Sequence, residues 1–245
     1  MDSGIWATWY NLDNDDRADF LDWLHAEYLP HLKQRHGFSW VAHYAHEGGG
    51  EATRELCNIL ARSGEDVACG GQFLLLVGAP SPHTFFAPNV MELTWPQGVA
   101  KRLAQRRDVV SAIFMEEARV NGPEFGRRIP GGPPGPAIQM GAFRMRSVED
   151  EFALGAWYAQ NRLPAIARIP GAIGARKLIA VAGWPKNGIL YEFTSLAARL
   201  EHFEGPEERE ALDPKEWTGK IVQATIHMPG SPMIGARTWP PLDQA

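Results

Sequence analysis

The chain has 245 residues, 44% of them hydrophobic and 22% charged, with a formal net charge of −5 and a pI near 5.9. Those values are expected of a soluble globular protein with one large domain or two ordinary ones, and no basic field invites nucleic acid or an anionic membrane surface. The longest apolar run, around Phe73 to Val77, falls far short of the roughly 20 residues that span a bilayer. The N-terminus lacks the basic-then-apolar pattern of a signal peptide. Cys57 and Cys69, with eleven residues between them, form neither a zinc pattern nor a disulfide framework, so a reduced, cytoplasmic setting is expected.

In chain order, the aromatic-rich run from Ile5 to Leu12 predicts a strand. Phe20, Leu21, Leu24, Tyr28 and Leu32 recur at three- and four-residue steps and predict an amphipathic helix, which Pro30 should end or kink. A second strand follows Gly37. Residues 46–71 read as an insertion with a short helix over Ala52 to Ala61, either a lid or a decorated hairpin. Phe73 to Val77 is a buried strand, Pro96 opens a helix, and Val109 to Val120 is a fourth strand. Proline and glycine crowd residues 121–136, which read as an extended linker. Beyond it come a strand from Gln139, a helix to Leu163, a strand over Ala172 to Val181, a turn at Asn187-Gly188 and a strand over Ile189 to Thr194. Ser195 caps the next helix, Lys220 to Met228 is the last strand, and the tail from Pro229 wraps the surface.

The second half repeats the first at an offset of 134. Trp23 meets Trp157, Leu29 meets Leu163, Pro30 meets Pro164 and Gly37 meets Gly171. A register held through strand, helix and turn points to a duplicated unit. Each half then reads βαββαβ, a ferredoxin-like fold with helices on one face, and two bare sheet faces can cover each other. The expected fold class is therefore α+β: two ferredoxin-like repeats whose antiparallel sheets pack face to face as a pseudo-dimeric α/β barrel. The expected partition is 1–120 for the first repeat, 121–137 for the linker, 138–228 for the second repeat and 229–245 for the tail.

A helix carrying Trp-(x)3-Glu-(x)2-Pro after a strand and before Gly-Phe resembles the dimeric α/β-barrel superfamily. It is similar within that group to EthD-type proteins, whose motif is Trp-Tyr-x-x-Glu-His-x-Pro. Here the motif stands as Trp23 to Pro30 and as Trp157 to Pro164. Tyr28 and Arg162 replace the motif histidine, and Asn161 replaces the glutamate of the second copy. The resemblance implies a barrel fold and a small-molecule enzyme, with cofactor-free cyclases, monooxygenases and isomerases, as well as haem-binding enzymes, among the relatives.

Strand alternation suggests which residues line the barrel. Taking the more apolar set of the first strand as helix-facing leaves Trp6 and Tyr10 inward, and the same rule turns His43, Arg144, Lys177, Glu192 and His227 inward. Aromatic walls with a few ionisable groups suit a pocket for a hydrophobic or aromatic small molecule. The expected chemistry is proton transfer on a carbonyl compound without a cofactor. His43 and His227 would be acid and base, Arg144 would hold an enolate oxygen, and Trp6, Tyr10, Lys177 and Glu192 would bind substrate. The alternatives are a carrier without chemistry, a haem-binding barrel and a pseudo-dimer with a filled centre. A homodimer of the two-repeat chain is open. The clustered histidines, His25 to His46, lack a zincin spacing, so no metal is expected.

Overall fold

The structure is a computed structural model that describes residues 2–60 and 70–242. Its strands are β1 (Gly4–Asn11), β2 (Trp40–His46), β3 (Phe73–Ala79), β4 (Arg107–Asn121), β5 (Ala137–Met145), β6 (Ala172–Ala182), β7 (Asn187–Phe193), β8 (Thr225–His227) and β9 (Met233–Trp239). They run antiparallel in the order β7-β6-β4-β1-β3-β2-β9-β5, and β5 pairs back onto β7 to close the barrel. The short β8 continues the edge that β9 leaves, pairing with Phe143 to Met145 where β9 pairs with Ala137 to Met140.

Two strands stitch the halves together. β4 pairs with β1 through its first part and with β6 through its second. β9 does the same for β5 and β2. The fourth strand of the second repeat is therefore supplied mainly by the segment expected to wrap the surface. Lys220 to Gln223, expected in that strand, belong instead to a helix, and the β6–β7 connection is made by residues 183–186, with Asn187 and Gly188 already in β7.

The helices α1 (Arg17–Trp23), α2 (Leu29–Lys33) and α4 (Gln97–Leu103) serve the first repeat; α5 (Val148–Trp157), α6 (Leu163–Ile166), α7 (Leu196–Arg199), α8 (Arg209–Leu212) and α9 (Trp217–Gln223) serve the second. The insertion contributes α3 (Glu51–Leu60). Pro30 and Pro164 do not end their helices. Each follows a π-helical turn, Leu24–Tyr28 and Tyr158–Arg162. A proline ring clashes with the carbonyl four residues back, here that of Ala26 or Gln160, and both lie in the widened turn. Gly37 and Gly171 then leave at φ +88° and +78°, a left-handed conformation open to glycine at little cost.

The barrel interior is solid. Ile5, Ala7 and Trp9 of β1 pack there with Trp40, Ala42 and Tyr44 of β2, Phe114 of β4 and Met140 of β5, all buried in one continuous core. Eight-stranded barrels are just wide enough for side chains to fill. The expected facing of β1 and β2 is thus reversed. Trp6, Tyr10 and Val41 point outward into a second core under α1 and α2, and a third core underlies the helices of the second repeat. The 134-residue offset holds for the helices but not for β1 and β5, because Thr8 faces outward while Ala142 faces inward. One residue of slip reverses a whole strand, even though β1 and β5 end at the same offset, Asn11 and Met145.

The linker plugs one end of the barrel. The Gly135 N–H donates to Glu192 Oε2 at 3.0 Å, Arg128 Nη1 donates to Glu192 Oε1 at 3.1 Å, and the Tyr44 hydroxyl donates to the carbonyls of Pro134 and Gly135. Beneath it Arg176 stands between Asp2 (2.7 Å) and Glu192 (3.2 Å). Burial pushes the Glu192 carboxyl up despite Arg176. Asp2 is pushed the same way by burial, but Arg176 and the Trp40 N–H more than offset it and leave its pKa lowered.

A filled interior makes Phe114→Ala a large-to-small change with nowhere to relax, so it should cost about 3–5 kcal/mol by urea denaturation. A loss below about 1 kcal/mol would mean the barrel is hollow or collapsible at that point.

Candidate active site

The seven residues expected to share a lumen fall in separate places. Glu192 faces the barrel interior but belongs to the charged plug. Arg144 lies at a barrel edge, its guanidinium 4.7 Å from the Trp184 ring centroid. Lys177 faces the second repeat's helices, paired with Glu117 and 5.4 Å from the Tyr158 ring. Its buried neighbour Arg176 takes the inward position. Trp6, Tyr10 and His43 lie under the first repeat's helices, and His227 lies under those of the second, stacked on Phe143. The cause is the reversed parity of β1, β2, β6 and β8: hydrophobicity does not tell the sheet faces apart.

In the first repeat the space between sheet and helices is filled. His43 is fully buried, with Nε2 2.7 Å from the Tyr10 hydroxyl and Nδ1 2.6 Å from Thr238 Oγ1 and 3.2 Å from His25 Nε2. Thr238 reaches it because the β2–β9 register skips a residue between His43 and Tyr44. Burial holds His43 well below its usual pKa, and so neutral.

In the second repeat the corresponding space holds a cavity of about 80 Å³. Its apolar wall comes from Phe143, Trp157, Ile189 and Phe203, and its polar groups are His227, Tyr158, Tyr191, Arg162 and Glu208. Tyr158 and Arg162 open and close the π-helical turn, a widening frequent at functional sites. Arg162 is 5% exposed. Its guanidinium carbon is 4.7 Å from the Trp157 ring centroid and 5.4 Å from that of Phe203, and Nη1 donates to Glu207 at 3.0 Å. Its Nε is buried and has no hydrogen-bond partner.

Burial raises the pKa of Tyr158 and Tyr191, so both remain protonated. Burial drives His227 the other way, to about 3, so its ring is neutral at ordinary pH. Nδ1 is 3.3 Å from Ser231 Oγ, which already accepts the Ala142 N–H. A hydroxyl can still either donate or accept there, so Ser231 tolerates both tautomers. Among the described residues Nε2 has no protein partner.

The first repeat completes this cavity. Leu56 and Leu60 of α3 form one wall and pack on Ala211 of α8. A buried polar cluster fixes α3 in place. Arg199 donates to Gln139 Oε1 (2.7 Å), to Glu204 (2.7 Å) and to Glu208 (2.8 and 2.9 Å), while Glu204 accepts the N–H groups of Gly50 and Thr53 at the start of α3. Arg162, Tyr158, Tyr191 and Arg199 were not singled out as site residues from sequence. For Arg162 a signal existed, since it occupies the motif's histidine position.

No family model and no curated protein matches the chain. Solved structures do match across nearly all of it. A protein described as anthrone oxidase-like is 12% identical with a TM-score of 0.54, covering 96% of this chain and 90% of its own. One described as a monooxygenase, from Fusobacterium nucleatum, is 8% identical with a TM-score of 0.54, covering 97% and 92%. One described as a chlorite dismutase is 12% identical with a TM-score of 0.50, covering 97% and 96%. The shared feature is the fold, that of the pseudo-dimeric α/β barrels. Among the described residues, no helix is long and apolar enough to cross a membrane.

His43 and His227 are held neutral in the folded chain but protonate near pH 6.5 when unfolded. The unfolded state therefore binds more protons below that value, and stability falls as pH falls. Denaturation midpoints should be flat above pH 7 and drop between pH 6.5 and 4.5, before most carboxylates titrate. His227→Gln should flatten that drop, and an unchanged slope would show that the His227 ring is solvated.

Proposed function

We propose that the chain is an enzyme that transfers a proton on a small aromatic carbonyl compound in the sheet–helix cavity of the second repeat. One observation carries this reading: a neutral histidine, two protonated tyrosines and a guanidinium with a spare buried N–H surround one aromatic-lined space. His227 Nε2, unprotonated in one tautomer, takes a proton from the carbon next to the carbonyl. The C–H electron pair moves into the carbon skeleton and the negative charge settles on oxygen. Arg162, with the Tyr158–Tyr191 hydroxyl pair, hydrogen-bonds that oxygen in a site shielded from water. Return of the proton to a different atom completes an isomerisation; attack of the carbanion on a second carbonyl of the same molecule opens that C=O bond, and its oxygen takes the proton back from His227 to complete a ring closure.

Among neighbours that share the fold, those described as a monooxygenase and as anthrone oxidase-like suggest a further step in which the same anion adds dissolved oxygen, takes the proton from His227 to become a hydroperoxide, and loses water to leave a second carbonyl on that carbon. The haem suggested by the superfamily resemblance does not fit. At about 80 Å³ the cavity is smaller than the roughly 150 Å³ that takes a benzene ring, so a one-ring ketone enters it only in part, carbonyl end first, and a haem does not enter it. The matched helices and turns, with their π-helical segments, support a tandem duplication whose second unit runs on through β9 instead of ending at residue 228, and the motif positions support an EthD-like origin.

The test is exchange of the acidic C–H of acetophenone-class ketones with deuterated solvent, read by mass spectrometry. Wild type should catalyse it. Arg162→Gln and His227→Gln should each lose on the order of 10²-fold, while Lys177→Met should keep the wild-type rate. Binding without exchange would make the chain a carrier, and neither binding nor exchange would end the assignment.

A further inference from the structure

We propose that the plugged end of the barrel carries a second ligand site, independent of the sheet–helix cavity, that takes a small monocarboxylate with an apolar body. The linker and the ends of β6, β7 and β9 enclose about 250 Å³ there, with Arg127, Arg128 and Arg237 on the polar side and Ile129, Ile173 and Leu242 on the apolar side.

The polar groups do not balance. Pro133, Pro134 and Pro136 have no N–H to offer, and the Gly135 N–H is spent on Glu192. The carbonyls of Pro134 and Gly135 are taken by the Tyr44 hydroxyl, and Pro134 also accepts Arg237 Nη1 at 3.0 Å. What remains is an excess of cationic donors. Arg128 is neutralised by Glu192 and Arg127 by Glu124, whose carboxylate lies 2.9 Å from its Nε. Arg237 is half-buried, pairs with no carboxylate among the described residues, and its Nε is buried without a partner.

Among the described residues this partly desolvated guanidinium lacks a counter-charge, which is costly, and a planar carboxylate matches its fork. With one cation uncompensated among the described residues, charge balance favours a monoanion over a phosphate dianion. The isoleucines, Leu242 and the proline rings would cover the ligand's body, so recognition requires both ends of the molecule.

The test is titration of the full chain with phenylacetate, its neutral isostere phenylacetamide and inorganic phosphate, followed by calorimetry and thermal shift. Phenylacetate should bind saturably, at least tenfold tighter than either of the others. Arg237→Gln should weaken it at least tenfold. Ile129→Asp, a change at a side of the cavity already open to solvent, should do the same if Arg237→Gln fails to fold. Arg162→Gln should leave it unchanged. No saturable binding, equal binding of acid and amide, or retention in both variants would overturn the proposal. Loss on Arg162→Gln instead would place phenylacetate in the sheet–helix cavity and also overturn it.

Discussion

The whole architecture depends on a sheet buried on both faces. Closing eight strands into a ring removes the edges that would otherwise invite pairing with other chains, and it also shuts the inner face from water. That face must then be filled, and Trp9, Trp40, Tyr44 and Phe114 fill it. With the interior used for packing, ligand space remains only outside the ring, under the helices or at an end. The cavity proposed as the active site is thus displaced from the axis, where the symmetry of two sheets first suggests it, to the layer beneath one set of helices.

The two repeats use that layer differently. Phe20, Trp23, Leu24 and Tyr28 fill it in the first. In the second, the helix positions matching Leu24 and Tyr28 are Tyr158 and Arg162, and the same geometry becomes a polar-headed cavity. The insertion crosses from the filled half to roof the open one, held by Arg199 and two buried glutamates. A buried cation so fully hydrogen-bonded is costly to leave half-paired, which makes the polar cluster a positional lock more than a source of net stability. Under the proposed function, the first half serves as scaffold and the second as site.

Much of this was legible in the sequence. Trp, Pro and Gly at a common offset pointed to the α/β-barrel fold class, and helical periodicity marked α1 and α5. What failed was facing. Alternation identifies a strand's inner side only when the other side is polar, and β1 is buried along nearly its whole length. The offset could not rescue it, because it holds for the helix landmarks while the strands before them face opposite ways. β9 was missed for a related reason. Its run, Met233 to Trp239, sits among prolines and glycines that read as surface tail, and only pairing with β2 and β5 makes it a strand.

The π-helical turns connect these two lessons. A proline two residues into a helix segment was reason to expect an end or a kink; the chain instead widens one turn and continues. That widening is a backbone response to Pro30 and Pro164, present in both copies whatever their side chains. In the first copy it holds Leu24 and Tyr28 in an apolar core. In the second it points Tyr158 and Arg162 at one cavity, clamped against Trp157 and Phe203. The motif proline therefore acts through geometry, and the residues at the turn's two ends decide whether that geometry serves packing or chemistry.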